Sequence, residues 1–407
     1  MTRIRPREGK RPVTAGRQMH ALIARLFPIG RSLTGNGVRE TLRILRDVIP
    51  LEVPEIRTGT RVFDWTVPKE WNVRAAFIRD SRGRKVVDFA DNNLHLVGYS
   101  IPFNGRLPLS ELKRHLHSLP GQPDVIPYVT SYFEPRWGFC IPHRTLERLR
   151  NGIYEVVVDT KLKQGSLTYA DLVIPGTSDR EVLISTYICH PSMANNELSG
   201  PAVAAYLARH VLGTKSRRLT YRFVFAPETL GALVYLKRHL AHLKRKVVAG
   251  YVLTSTGDRG GMSYLTSRAG DSLADRAALH VLQRRGRGYK IFDFRHRGSQ
   301  ERQFGPAGVD LPVGCLMRSR PADYVEYHTS ADNLDFVTPA ALPLQKWHMW
   351  RSVDRYGAGA GRVYYAAVSG RLNFLSAPPL TVGPAELDEM PERLLATFRD
   401  VAATLGG

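Results

Sequence analysis

The segment Ile188-Cys-His-Pro-Ser-Met-Ala-Asn-Asn-Glu-Leu-Ser-Gly200 constrains this chain more than any other. Residues 182–188 ahead of it are β-rich and almost wholly apolar, and residues 199–212 behind it repeat small and apolar side chains at helical spacing. A buried strand, a histidine, a polar turn and a helix in that order form one βα step of a parallel sheet, whose ligands collect at the carboxyl ends of strands. His190 therefore stands where an α/β protein keeps its chemistry. Two further segments repeat the pattern: residues 219–226 run into Pro227-Glu228, and residues 247–254 run into Gly257-Asp258. A fourth, Tyr324-Val-Glu-Tyr-His328, brings a second histidine into a polar loop. His190, Glu228, Asp258 and His328 are the side-chain types that catalytic zinc takes, although each alone has a plain structural use. Glu228 suits the first turn of a helix, Asp258 a turn, and Asn195 and Asn196 a helix cap.

The periodicity downstream of residue 154 alternates strands with helices at 199–212, 229–243, 272–285 and 339–356, the rhythm of a three-layer α/β/α domain. Residues 18–48 read as two helices around a turn marked by Pro28, Gly30, Gly35 and Gly37. Residues 50–120 switch to short strands at 61–67, 73–79 and 85–89. The domain organisation expected is a basic, disordered tail over 1–17, a catalytic domain over 18–49 and 121–360, an inserted β-rich unit over 50–120, and an extension over 361–407 with an amphipathic helix at 385–405.

Seven separated segments resemble a bacterial aminopeptidase-like family associated with polysaccharide biosynthesis, itself similar to the co-catalytic zinc aminopeptidases. They are Leu26-Phe-Pro-Ile-Gly-Arg-Ser-Leu-Thr-Gly35, Asp91-Asn-Asn-Leu-His-Leu-Val-Gly-Tyr-Ser100, Pro123-Asp-Val-Ile-Pro-Tyr-Val-Thr-Ser-Tyr132, Trp137-Gly-Phe-Cys140, the His190 motif, Gly298-Ser-Gln-Glu-Arg-Gln303 and Tyr327-His-Thr-Ser330. The resemblance spans most of residues 18–340 and implies a zinc-aminopeptidase-like (phosphorylase/hydrolase-like) fold. It makes His190 and His328 the imidazole ligands and Glu228 and Asp258 carboxylate ligands or base. Asn196 stands where such enzymes place a metal-bridging Asp, with Glu197 beside it as a substitute. A neutral amide neutralises two zinc ions poorly, so the pattern implies one tightly held zinc and leaves a second open. Glu228 is the expected proton-transfer group, with Glu197 or Glu301 taking that role if Glu228 is a ligand. Asn195, Arg302 and Tyr327 are candidates for orienting substrate. Gln300 and Arg259 stand where the family usually carries acidic residues.

The implied activity is hydrolysis of an amide or peptide bond in a small peptide or N-acylated, anionic intermediate. The alternatives are deacylation of an amino sugar and an inactive binding protein on the same scaffold.

Charge and cysteine content narrow the remaining classes. The chain has 58 Lys+Arg against 37 Asp+Glu, a net +21, but the cations are scattered and no nucleic-acid motif accompanies them. The expectation is a field that concentrates anions, without specific nucleic-acid binding. No run of about 18 apolar residues suggests a membrane span. Three well-separated cysteines, Cys140, Cys189 and Cys315, fit a reducing cytoplasm.

Overall fold

The computed structural model describes residues 14–342 apart from 133 and 285–287. The expected helices at 339–356 and 385–405 and most of the basic tail lie outside the described residues. Helices α1 (Ala15–Leu26) and α2 (Asn36–Arg46) open the chain. A four-stranded antiparallel sheet follows, built from β1 (Glu70–Arg79), β2 (Lys85–Asp88), β3 (Phe103–Pro108) and β4 (Ile153–Lys163) in the order β2-β1-β4-β3. The sequence pattern placed residues 153–163 with the main domain. They instead alternate buried and partly exposed side chains along the full length of β1, a half-buried strand of a second sheet. The four-stranded sheet therefore takes a strand from beyond residue 120.

The main sheet has seven strands: β5 (Ala170–Ile174), β6 (Glu181–Tyr187), β7 (Thr220–Ala226), β8 (Val247–Leu253), β9 (Ser263–Leu265), β10 (Lys290–Phe292) and β11 (Val313–Met317), in the order β5-β7-β6-β8-β11-β9-β10. The four central strands β7, β6, β8 and β11 are parallel. All seven residues of β6 and of β7 are buried, as a strand covered on both faces requires. Helices α3 (Ser199–Leu212), α4 (Leu230–Lys246) and α5 (Leu273–Arg284) supply the covers. Helix α1 and α2 pack with α3 and α5 in one apolar cluster, whereas α4 packs in a second on the opposite face. That is the three-layer arrangement.

Local chemistry sets the helix starts. Asp275 accepts the Ser272 amide at 2.8 Å while Ser272 Oγ accepts the Asp275 amide at 3.4 Å, a reciprocal cap that begins α5. Helix α3 begins against the sheet itself. A Cβ on Gly200 would lie 2.4 Å from the Leu253 carbonyl oxygen and 2.5 Å from Thr186 Oγ1, so only glycine lets the helix seat there.

One ion pair ties α2 to the four-stranded sheet. Glu70, 3% exposed at the start of β1, accepts from Arg39 of α2 at 2.6 Å and from the Ser166 amide at 3.3 Å. The Arg39 hydrogen bond outweighs the cost of burial and holds the Glu70 carboxyl down at about 2. A depressed carboxyl contributes stability above its unfolded value near 4.5 and loses it as pH falls toward 2. Because the Arg39 side chain is 30% exposed, solvent screening reduces the pair's worth to on the order of 1 kcal/mol. Glu70→Gln is therefore expected to unfold more easily than the parent at pH 7, with the difference closing between about pH 4.5 and 2 in urea titrations. A constant difference across that range contradicts the assignment.

Candidate functional site

The carboxyl ends of β6, β7 and β8 and the loop after β11 converge, and each loop carries one of the residues singled out by pattern. His190 follows β6 and Glu228 follows β7. Asp258 follows β8, and His328 lies beyond β11. The loops are held in uncommon backbone conformations: Ser192, Thr229, Ser255 and His328 have φ of 40°, 58°, 45° and 56°. Left-handed backbone at a non-glycine residue costs on the order of 1–3 kcal/mol and collects at functional sites. For β-branched Thr229 it is a marked outlier.

His190 is 6% exposed and held from both ring nitrogens. Nδ1 meets Glu197 Oε2 at 2.6 Å, and Nε2 faces Glu228 Oε2 at 3.6 Å. Burial alone lowers the His190 pKa, but the charges of Cys189 and Glu197 and hydrogen bonding to both carry it well above the ordinary imidazole value. The Cys189 thiol is itself pushed up by burial, which keeps it protonated, so Glu197 is the partner that matters. His328 behaves oppositely: burial and the neighbouring His190 charge lower it to about 3, leaving a neutral imidazole. The two rings lie 5.5 Å apart between centroids. Two imidazoles on one tetrahedral zinc would have centres roughly 5 Å apart.

Glu197 reaches His190 from a single π-helical turn, Ala194–Leu198, which leads into α3. Asp332 makes that turn possible. Its carboxylate accepts the Asn195 amide at 2.6 Å and the Asn196 amide at 2.8 Å, and its main-chain carbonyl accepts the Ala194 amide at 2.9 Å. Burial, with the Asp258 charge adding to it, raises Asp332 to about 7 despite these bonds. Asn196 donates to the Tyr187 hydroxyl at 2.8 Å. Among the described residues, the Oδ1 of Asn196 and the Oε1 of Glu197 are buried acceptors without a hydrogen-bond partner. Among the described residues, Cys189, His190 and Glu197 form a group whose ligand atoms all lie within 4.8 Å of one another.

Glu228 has a 20% exposed side chain, and burial, reinforced by the charges of Glu197 and Glu301, raises its pKa. A carboxyl whose pKa is raised holds a proton more readily than a free one, the direction a proton-transfer group needs. The remaining candidates are disposed differently. Asp258 is spent on structure: Asn195 Nδ2 at 2.9 Å, the Gly260 amide at 2.6 Å, and the Ser319 amide and hydroxyl at 3.2 and 2.9 Å fill both its oxygens. It pairs with neither histidine among the described residues. Asn195 is a strut in the same network, its Oδ1 accepting from the Gly257 and Asp258 amides. Glu301 Oε1 accepts the Gly298 and Ser299 amides at 2.8 and 2.9 Å, so the carboxylate organises its own loop. Gln300 bridges β6 and the end of β7 through Ser185 and the Ala226 carbonyl. Arg302 is exposed and donates to Thr229 Oγ1 at 2.6 Å, and Tyr327 stacks on His328 at 3.9 Å. These two stand at the rim.

Sequence reasoning missed three contributors. Tyr128 packs edge-on against both histidines, at 5.0 Å from His190 and 5.1 Å from His328, with its hydroxyl 2.9 Å from that of Tyr132. Its amide donates to the His328 carbonyl at 2.8 Å. The segment carrying it stood out as a motif, but no spacing ties an aromatic so far upstream to the strand ends. Cys189 Sγ accepts the Glu228 amide at 3.2 Å, linking the ends of β6 and β7. The third, Arg31, donates to the His190 carbonyl.

A fold with the central sheet, its covers and functional loops in this disposition is that of the zinc aminopeptidases. A Bacillus subtilis zinc aminopeptidase superposes with a TM-score of 0.58 at 14% identity over 85% of this chain and 95% of its own. A family described as a domain of unknown function, DUF4910, matches residues 20–355, and this chain belongs to it. It is 46% identical over 327 residues to a Clostridium acetobutylicum protein provisionally assigned to polysaccharide biosynthesis, with an aminopeptidase-like domain. That match covers 80% of this chain and 75% of the relative. A crystal structure from Clostridium acetobutylicum, provisionally called a peptidase, aligns with a TM-score of 0.81 at 44% identity over 84% of this chain and 80% of its own. Among the described residues no helix is long and apolar enough to cross a membrane.

The dependence on Asp332 is testable apart from any activity. Asp332→Ala leaves two buried amides unpaired at about 1–3 kcal/mol each, so a loss of roughly 2–6 kcal/mol in urea unfolding is expected. A loss under about 0.5 kcal/mol would show that the turn holds without it.

Proposed function

We propose that this protein is a zinc-dependent hydrolase that cleaves an amide or peptide bond in a small, N-acylated or peptidic substrate, with Glu228 as the proton-transfer group. The observation that carries the reading is the placement of His190 Nε2, oriented by Glu197 behind it, 3.6 Å from Glu228 and beside the neutral His328 ring. A carboxylate behind a ligating imidazole fixes its tautomer, so that the far nitrogen presents a lone pair. His190 through Nε2 and His328 would hold one zinc, with the unpartnered Oδ1 of Asn196 as a further oxygen that suits a cation. When bound, zinc supplies Lewis acidity that polarises a carbonyl and makes water more acidic.

The chain's own residues do the rest. Glu228, with its raised pKa and open face, accepts a proton from water and passes it to the departing amine. Tyr128 shields the histidines from one side and Tyr327 covers His328, limiting solvent around the reacting atoms. Arg302 at the rim and the net charge of +21 favour an anionic substrate. Cytoplasmic residence and independence from nucleic acid belong to the same reading.

A second reading, an inactive binding protein, draws support from the neutral Asn196 and from Asp258, whose oxygens are consumed internally. Metal content and turnover separate the two. Purified protein is expected to hold about one zinc per chain. His190→Ala loses the metal, and Glu228→Gln keeps it while slowing amide hydrolysis by about 10²–10⁴-fold. Protein expressed with ample zinc that remains metal-free overturns the hydrolase reading. Zinc-loaded protein inert toward a broad peptide and N-acyl panel favours the binding protein.

A further inference from the structure

The motif from Leu26 to Gly35 is absorbed by no step above, yet it runs directly behind His190. Arg31 is 2% exposed, and among the described residues its hydrogen bonds go to carbonyls and a hydroxyl, not to a carboxylate. Its Nε donates to the His190 carbonyl at 3.1 Å, and Nη1 donates to the Leu26 carbonyl at 2.7 Å and approaches Thr41 Oγ1 at 3.5 Å. Burial pulls the guanidinium down to about 10, and the Glu197 charge opposes that fall. Burying an unpaired cation costs several kcal/mol, so its retention calls for a specific use. A lysine could not replace it, because the planar fork serves the end of α1 and the His190 main chain at once.

Two neighbours complete the attachment. Ser192 Oγ donates to the Phe27 carbonyl at 3.1 Å, and Asn93 Nδ2, from the inserted unit, donates to both the Pro28 carbonyl and Ser192 Oγ at 2.9 and 3.0 Å. The loop has little room to shift, since a Cβ on Gly37 would lie 2.0 Å from the Gly30 carbonyl oxygen. His190 is thus held at its side chain by Glu197 and at its main chain by Arg31.

We infer that Arg31, supported by Asn93 and Ser192, is a positioning residue that fixes the His190 main chain and so sets the metal affinity of the site. The inference rests on the zinc reading and extends it to three residues that touch neither metal nor substrate. Its readout is the zinc dissociation constant of the full chain, measured by competition with a chromogenic chelator, with melting temperature recorded in parallel. Arg31→Met is expected to weaken zinc about 10–100-fold, the usual cost of losing an outer partner. Arg31→Lys keeps the charge but not the forked bonds and should remain at least about 10-fold weak. Asn93→Ala, a milder break should Arg31→Met fail to fold, is expected to weaken zinc in the same direction. Leu282→Ala, a buried cut in α5, supplies the control: it lowers the melting temperature without moving zinc affinity. Arg31→Met or Asn93→Ala that melts earlier yet binds zinc like the parent overturns the inference and leaves the hydrolase reading intact. Full recovery by Arg31→Lys overturns the clamp in favour of charge alone. A parent protein that takes up no zinc overturns the reading and the inference together.

Discussion

The 2.6 Å contact between His190 Nδ1 and Glu197 is the interaction on which the rest of the site depends. It requires a strand that delivers His190 at its carboxyl end, and a turn that brings a residue seven positions later back onto the same ring. An ordinary α-helical start would not hold Asn195, Asn196 and Glu197 in this register; the π-helical turn does. That turn in turn depends on Asp332, whose carboxylate receives two consecutive amides from a loop far away in sequence. The site is thus closed by long-range polar contacts laid over a short-range pattern. The sheet supplies position, and the loops supply orientation.

The four left-handed residues in these loops follow the same division of labour. Ser192, Thr229 and Ser255 bend the chain in the loops that follow β6, β7 and β8, and His328 does so in the longer loop beyond β11. The strain is offset by the bonds that surround it, such as Ser192 to Phe27 and Arg302 to Thr229. The fully buried parallel strands underneath contribute the apolar stabilisation that lets the loops carry unfavourable backbone. The inserted unit belongs to this economy as well, since Asn93 reaches the His190 turn and the segment after it seats Tyr128 between the two histidines.

Much of this was legible in the sequence, for a physical reason. Parallel strands covered on both faces must be continuously apolar, so residues 182–188, 219–226 and 247–254 announced themselves, and the helix at 199–212 matches the expected bounds. His190 and Glu228 come together because strand ends converge in such folds, and His328 joins them from the longer loop beyond β11. Asp258 and Asn195 followed the same rule to the strand ends, yet loop chemistry turned them on each other. No local pattern reports such a pairing. The strand at 153–163 was assigned to the main domain because alternation states that a strand is half-buried without stating which sheet buries it. Arg31 was hidden for the opposite reason: a buried arginine looks in sequence like one more of the 58 cations.

The charge inventory bears on how many metal ions such a site can hold. His328 is neutral and Asn196 contributes only an amide, so on the zinc reading the anionic groups beside His190 are Glu197 and Glu228. Two carboxylates balance one dication, and Arg31 behind them adds a further positive charge whose field favours no second one. A further carboxylate, Asp258, has both oxygens engaged by Asn195, Gly260 and Ser319, and releasing it would strand several buried donors. A second zinc would therefore enter uncompensated, at a cost that local geometry cannot recover. On the zinc reading, the donor set on this aminopeptidase-like scaffold balances one ion better than two.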